Sequence, residues 1–389
     1  MYSRDETVKL SLSFKTVFYG DVEMCAPKDI IICGNQSKAE EFVKKVQGKK
    51  PAFVCVIGNT ETAKIPGISA AGANPEFTDY TPAADMELLH YGKCKVIDGV
   101  PVTPDGIPTP AIITMSALEL AEMPIFVVNG GCRVLPFTPY FEVGGTPGGD
   151  VRTGKAVENP KEVFEESFLL GKNLAKTVDY LVVGESTPGG TTTALGVLLA
   201  LGYDAEGKES SSFPQNPHDL KINVVREGLT AAKADGKQIR GVLDAVAVVG
   251  DPMMPAAAGL VAGAALSVPV IMAGGTQMAA VLAVIKGMKP EVLKNIALGT
   301  TRWIIEDKQS DMISLVAQSA EVPILAVNLD FSESKYDGLR IYETGLVKEG
   351  AGAGGVSVAA ILGSNGTITC RSLLEKIDEN YARILDLEK

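Results

Sequence analysis

The chain has 389 residues, with 36 Lys and Arg against 47 Asp and Glu, so its formal net charge is −11. That balance disfavours any ligand held chiefly by a basic surface, nucleic acid above all, and two histidines, His90 and His218, are too few for a His-rich metal centre. At 46% hydrophobic and 21% charged residues the composition is that of a globular protein with a substantial core, long enough for one large domain or two ordinary ones.

In chain order, residues 1–14 are charged and lack the apolar core and small-residue cleavage site of a secretory signal. The six cysteines, Cys25, Cys33, Cys55, Cys94, Cys132 and Cys370, are scattered with no CxxC pair, which reads as reduced thiols in a cytoplasmic protein. Short Val- and Ile-rich runs recur between helical patterns. They predict strands at Asp29–Cys33, Ala52–Ile57, Ala111–Thr114, Ile125–Val128, Tyr180–Val183, Ala245–Val249, Val268–Met272 and Ile324–Val327. Asn159-Pro160 and Asn216-Pro217 each offer an N-cap followed by Pro at the first helical position, predicting helices over 160–176 and 217–233. The most apolar stretch, Pro252 to Ala273, is broken by Gly259, Gly263, Ser267 and Pro269 and reads as helix, turn and strand rather than a membrane span. The amphipathic Ser372–Leu387 is expected to pack beside a first helix near Ser37–Val46. The fold expected is α/β: a mainly parallel, Rossmann-like sheet flanked by helices over residues 50–365, with residues 1–49 and 366–389 as a small helical subdomain packed on it.

Polar, glycine-rich stretches fall where strands should end: Gly58–Asp85, Gly144–Lys155, Gly184–Thr193, Gly250–Pro255, Gly274–Thr276 and Gly345–Gly355. Any one of these glycines reads equally as a turn residue. Their placement after buried strands points to loops converging on one site, because open α/β sheets bind ligands beyond the carboxyl ends of their strands.

The segment from Val183 to Gly196 joins an apolar strand to a helix of small residues, through Gly184-Glu185 and Gly189-Gly190-Thr191-Thr192. Free N–H groups at such a helix start, with threonine hydroxyls beside them, suit a phosphate; the plainer reading is a tight turn with threonine caps. Two better-known patterns are set aside. Gly149–Ala156 matches a Walker A loop except that Ala156 replaces the Ser or Thr that would hold magnesium. Gly350–Gly355 is a literal GxGxxG, but too little chain follows to complete a dinucleotide-binding unit, which argues against an NAD-dependent oxidoreductase. What remains there is Glu349, just before backbone that can approach a substrate closely. Lys221 lies one turn into a predicted helix.

These elements, in this order, resemble the nicotinate-nucleotide:dimethylbenzimidazole phosphoribosyltransferase family of cobalamin biosynthesis, especially its divergent archaeal branch. The Gly184–Thr192 loop is similar to the family's GEMGIGNTT, with Gly190 in place of Asn, and Lys221 falls where the family has a phosphate-contacting lysine. Gly250-Asp251 looks like the GGFE segment, Pro269–Gly274 like PVLVDGF with Ala273 in place of Asp, Gly67-Ile68-Ser69-Ala70 like GVSA, and Leu346–Ala353 like RLGEGSGA.

The resemblance implies Glu349 as catalytic base, with Glu185 as a second catalytic carboxylate. It implies a substrate site built from Ser69, Gly189, Gly190, Thr191, Thr192, Lys221, Gly250, Asp251, Gly274, Gly350 and Gly352. The substrates implied are small molecules, nicotinate mononucleotide and an aromatic base, with no metal, cofactor, nucleic acid or membrane partner, in a homodimer. A pyridinium leaving group already carries its activating charge, so such a reaction needs neither a general acid nor a metal. A non-catalytic nucleotide-binding or regulatory protein on the same fold is the alternative.

Overall fold

In the computed structural model residues 29–72, 74–103 and 107–387 are described; residues 1–28 and 388–389 of the expected subdomain lie outside them. The strands are β1 (Ile30–Cys33), β2 (Pro51–Gly58), β3 (Ile125–Gly131), β4 (Phe141–Glu142), β5 (Tyr180–Ser186), β6 (Val270–Ala273), β7 (Ile296–Thr301) and β8 (Ile324–Val327). They form one sheet in the order β1-β8-β7-β6-β5-β2-β3-β4, parallel throughout except for the antiparallel pairing of β1 with β8.

Helices cover both faces: α1 (Gln36–Val46), α2 (Thr81–Tyr91), α3 (Ala111–Ala121), α4 (Pro160–Leu174), α5 (Gly190–Ala200), α6 (His218–Ala234), α7 (Val242–Val249), α8 (Met253–Ala264), α9 (Met278–Met288), α10 (Arg302–Ile305), α11 (Met312–Ser319), α12 (Asp337–Arg340), α13 (Ala353–Gly363) and α14 (Cys370–Leu387). Strand β2 shows why both faces need cover. Its Ala52, Val54 and Val56 enter the core shared with α4 to α9, and its Phe53, Cys55 and Ile57 enter the core shared with α2, α3, α13 and α14. No helix among the described residues is long and apolar enough to cross a membrane.

The structure corrects two expected strands. Ala111–Thr114 opens α3, and Ala245–Val249 lies in α7. α3 is apolar nearly all round, so no amphipathic period marks it, while in α7 the short Val- and Ala-rich run Ala245–Val249 has the composition of a strand. Pro110 at the N-cap starts α3, where the Thr109 hydroxyl accepts from the Ala111 N–H at 3.3 Å; the Arg240 N–H donates back to Asp244 of α7 at 2.9 Å. Conversely β7 and the two-residue edge strand β4 were not expected. The sequence IALGTT of β7 resembles a loop, yet all six residues are buried between neighbouring strands.

The C-terminal helix packs along α3 rather than beside α1. Asn380 Nδ2 donates to Ser116 Oγ at 3.0 Å, and Arg383 and Lys376 pair with Glu119 at 3.0 and 3.1 Å. Strand β1, from the expected subdomain, is hydrogen-bonded into the main sheet.

Candidate active site

Strand order reverses between β2 and β5: the chain moves outward from β2 through β3 to β4, then returns to β5 on the other side of β2. Loops leaving neighbouring strands at such a point diverge to opposite faces and leave a crevice. A cleft lies there. Its walls come from Ile68–Gly72 after β2, Glu185–Thr191 after β5, Gly275 and Gln277 after β6, Ser210–Ser212, and Val347–Ala351 before α13.

One wall is the start of α5. Gly189 turns the chain at φ +80°, and a Cβ there would stand 3.1 Å from the Ala63 backbone. Among the described residues no side chain caps this helix; the Gly190 N–H donates to the Thr187 carbonyl and the Thr192 and Thr193 N–H groups to the Gly189 carbonyl, which leaves the Thr191 N–H and the positive end of the dipole for a ligand in the cleft. That is an anion site in its simplest form.

The cleft also holds three carboxylates, Asp85, Glu185 and Glu349. Glu349 is part-buried at the foot of α13 and accepts from the N–H groups of Gly350 at 3.2 Å and Gly354 at 3.1 Å. Burial pushes its carboxyl up to about 8, aided by the charge of Glu185 and only partly offset by those N–H bonds. Glu185, near the carboxyl end of strand β5, is pushed up to about 7 by burial, against a hydrogen bond from Gln277 and with the Asp251 and Asp85 charges adding to the rise. Asp85 is pushed up to about 6 by burial, with Ser186 and Thr109 hydroxyls donating to it at 2.8 and 2.9 Å. Three crowded, poorly solvated carboxylates favour a cationic ligand, whose charge would lower all three. Among the described residues no His, Cys, Asp and Glu group of three or more is arranged to hold a metal ion.

Of the residues singled out by sequence, Ser69, Glu185, Gly189, Gly190, Thr191, Glu349 and Gly350 line this cleft. The others stand behind it. Lys221 is fully buried; its Nζ donates to Thr191 Oγ1 at 3.0 Å and to the Ser210 carbonyl, so it supports the anion loop from within. Burial lowers its pKa and raises that of nearby Glu209, each partly restrained by the other's charge. Asp251 accepts from Thr193 Oγ1 at 2.5 Å and from the Met254 N–H at 3.2 Å, tying α5 to α8. Thr192 is buried inside α5, Gly250 ends α7, and Gly274 pairs with β7 through a 3.0 Å bond to the Gly299 carbonyl. Gly352 caps α13 against Phe53, where a Cβ would come within 2.9 Å of the ring. Lys155 of the Walker-like segment pairs at the surface with Asp235, at 2.9 Å.

Ala273 has a packing explanation. A Cβ on Gly355 of α13 would fall 2.3 Å from the Ala273 Cβ, so helix backbone rests directly on that residue. A longer side chain at 273 does not fit beneath α13.

Sequence reading missed Asp85, Gln277, Ser210–Ser212 and Lys348. Asp85 had a usable signal: with Glu87 it is one of two acids inside the otherwise apolar, buried helical run Pro82–Leu88. Glu87, its neighbour, accepts N–H bonds from Val96 at 2.9 Å and Phe137 at 2.9 Å, and so serves to fix loops. Lys348 left no signal. It lies in a turn where Val347, Lys348 and Ala351 have φ of +63°, +20° and +49°. Non-glycine residues held there cost about 1–3 kcal/mol each, and such strain gathers at functional sites.

An open sheet with helices on both faces and a cleft at its switch point defines a doubly wound α/β protein. Comparisons with known proteins give that class a family. Residues 125–303 match the model of a family described as phosphoribosyltransferase. A UPF0284 protein of Sulfolobus acidocaldarius is 46% identical over 350 residues, 88% of this chain and 99% of its own; one of Methanothermobacter thermautotrophicus is 44% identical over 88% and 96%. The fold is shared with nicotinate-nucleotide–dimethylbenzimidazole phosphoribosyltransferase of Thermus thermophilus, at a TM-score of 0.56 and 17% identity over 87% of this chain and 91% of that one. The chain belongs to the UPF0284 family represented by these archaeal relatives, and its central part matches the phosphoribosyltransferase model.

Proposed function

We propose that this chain moves the phosphoribosyl group of nicotinate mononucleotide to a benzimidazole-like base, giving α-ribazole 5′-phosphate and nicotinate, as a homodimer. The observation that carries this reading is the meeting of Glu185 and Glu349 in one cleft beside the uncapped start of α5. The phosphate sits at the Thr191 N–H and the positive end of α5, with Lys221 bracing the Thr191 hydroxyl from behind.

The cationic pyridinium then lies among the carboxylates. The base nitrogen attacks C1′ from the face opposite nicotinate, forming the new C–N bond as the old one breaks. The old bond's electron pair returns to the pyridine nitrogen, which leaves neutral. The ring N–H of the attacking base gives its proton to Glu349, while Glu185 steadies positive charge on the ribose. Attack on the opposite face turns a β-linked nucleotide into an α-linked one.

The purified protein, given nicotinate mononucleotide and a panel of benzimidazoles, phenols and adenine, is expected to release nicotinate with at least one of them. Release with none overturns the reading, and tight nucleotide binding by calorimetry without turnover would assign the non-catalytic alternative.

The raised Glu349 sets the pH dependence. Only its carboxylate accepts a proton, so kcat/KM for the nucleotide is expected to climb with pH and level off above about 8, the value its surroundings impose in the free protein. The limb in kcat should lie lower, because bound pyridinium favours the carboxylate. Initial rates at saturating and limiting nucleotide check both limbs; a flat kcat/KM across this range removes Glu349 as the base.

A further inference from the structure

Three residues of the turn that carries Glu349 lie at positive φ without being glycine, and something outside the turn must hold them there. The holding contacts converge on Lys348. Its Nζ lies 2.9 Å from Asp307 Oδ2 and 2.9 Å from the Ser211 carbonyl, and both charged side chains are only 4% exposed. Asp307 is itself fixed, accepting from the Gln309 N–H at 3.0 Å and the Ser310 hydroxyl at 3.1 Å. Burial alone would raise the Asp307 carboxyl, but the Gln309 N–H and the Lys348 ammonium hold it below the usual range. The Lys348 carbonyl accepts from Thr301 Oγ1 at 2.6 Å, and the Val347 N–H donates to the Ser212 carbonyl at 3.2 Å.

A buried ion pair is a poor way to gain stability, since desolvation offsets much of the attraction. It is a good way to impose one geometry on a chain that would otherwise relax. We infer that Lys348 is the positioning residue of this site: its buried pair with Asp307 pins the Val347–Ala351 turn and thereby aims the Glu349 carboxylate into the cleft.

The same lysine ties that turn to the Ser210–Ser212 wall, whose neighbouring carbonyl, at Ser210, is gripped by Lys221 beneath Thr191. Catalytic base and phosphate loop are thus braced through one segment. The inference rests on the transferase reading for its chemistry, though not for its geometry. Around Glu349 the other titratable groups are Glu185 from β5 and Tyr342 from the turn at 341–344, with Asp85 beside Tyr342.

The test uses the full chain with Lys348→Met, Asp307→Asn, their double variant, and Lys348→Gly. Glycine accepts the positive φ without strain, so Lys348→Gly removes the pair while sparing the backbone. If the pair aims Glu349, Lys348→Met and Lys348→Gly each lower kcat by about 10- to 100-fold, the scale of a misplaced catalytic group. The KM for nicotinate mononucleotide should stay within about twofold, and the double variant should be no worse than either single one. The pH limb should also move down toward an ordinary carboxylate as Glu349 swings into water.

A second readout needs no turnover. The Glu349 carboxyl, followed by carbon-13 NMR with Glu349→Gln to assign it, should titrate near 8 in the parent and lower in Lys348→Gly. If the parent releases no nicotinate, the transferase reading fails and this titration alone decides the positioning role. A folded Lys348→Gly with parent kcat or with an unmoved carboxyl titration overturns the inference.

Discussion

Glu349→Gln is expected to lower nicotinate release by about 10²- to 10⁴-fold, the usual worth of a positioned general base. Glutamine keeps the shape of the side chain and a carbonyl oxygen to accept the Gly350 and Gly354 N–H groups, so the foot of α13 retains its partners. What it loses is the capacity to take the proton from the attacking base. Stability should move the other way.

A carboxyl whose folded pKa is raised binds its proton more tightly in the folded state than in the unfolded one. Folding stability therefore falls as pH rises from the ordinary carboxylate range through about 8. The glutamine variant is spared that loss. Its thermal midpoint should match the parent at acid pH and equal or exceed it in alkaline buffer, as expected where a site is kept reactive at a cost in stability. Nicotinate release by chromatography and thermal unfolding at two pH values check both halves. Undiminished release from a folded Glu349→Gln protein would falsify the base assignment.

Ala273→Asp is expected to be the most disruptive single change to the fold among those considered. It places at 273 the residue of the related PVLVDGF segment. Ala273 is fully buried at the end of β6, with Gly352 and Gly355 of the α13 start laid over it and Gly299 of β7 on its flank. An aspartate there must push α13 off the sheet even when protonated, and if ionised it adds an uncompensated buried charge, which costs about 3–5 kcal/mol. The displacement would also drag Glu349, whose carboxylate is bonded to Gly354. Urea unfolding, read as a lower midpoint at unchanged slope, measures the first effect and nicotinate release the second. An unchanged midpoint would show that helix and strand have room to separate, contrary to the close approach of Gly355.

Much of the scaffold was legible because its signals are local. β2, β3, β5, β6 and β8 are apolar runs buried on both faces, and the Asn-Pro pairs lie at the starts of α4 and α6, although neither asparagine side chain caps its helix and Pro217 rather than Asn216 holds the α6 N-cap. The misread elements lack a local signal. α3 is buried on nearly every side, so the periodicity that separates helix from strand is absent; the Val-rich run in α7 is too short to tell from a strand; and Gly299-Thr300-Thr301 of β7 looks like a loop until strands are placed on both sides of it. Glu185 and Glu349 stood out as acids beside glycine-rich turns. Asp85, Gln277 and Lys348 did not, because their partners lie on segments distant in sequence: Ser186 for Asp85, Glu185 for Gln277, Asp307 for Lys348.

An acidic, histidine-poor and glycine-rich composition excludes more than it locates. By itself the sequence determined a mainly parallel α/β sheet, glycine-rich loops at its carboxyl ends, and two acids worth watching, because strand burial, turn chemistry and helix starts are written in neighbouring residues. Only the tertiary structure decided which loops meet, that Lys221 and Asp251 brace the wall rather than line it, and that Glu349 sits on a strained turn pinned by Lys348. Those outcomes depend on strand order and on contacts between segments far apart in the chain. They also set the burial, and burial is what raises Glu349 and Glu185 into the range where a carboxyl can exchange protons near neutral pH.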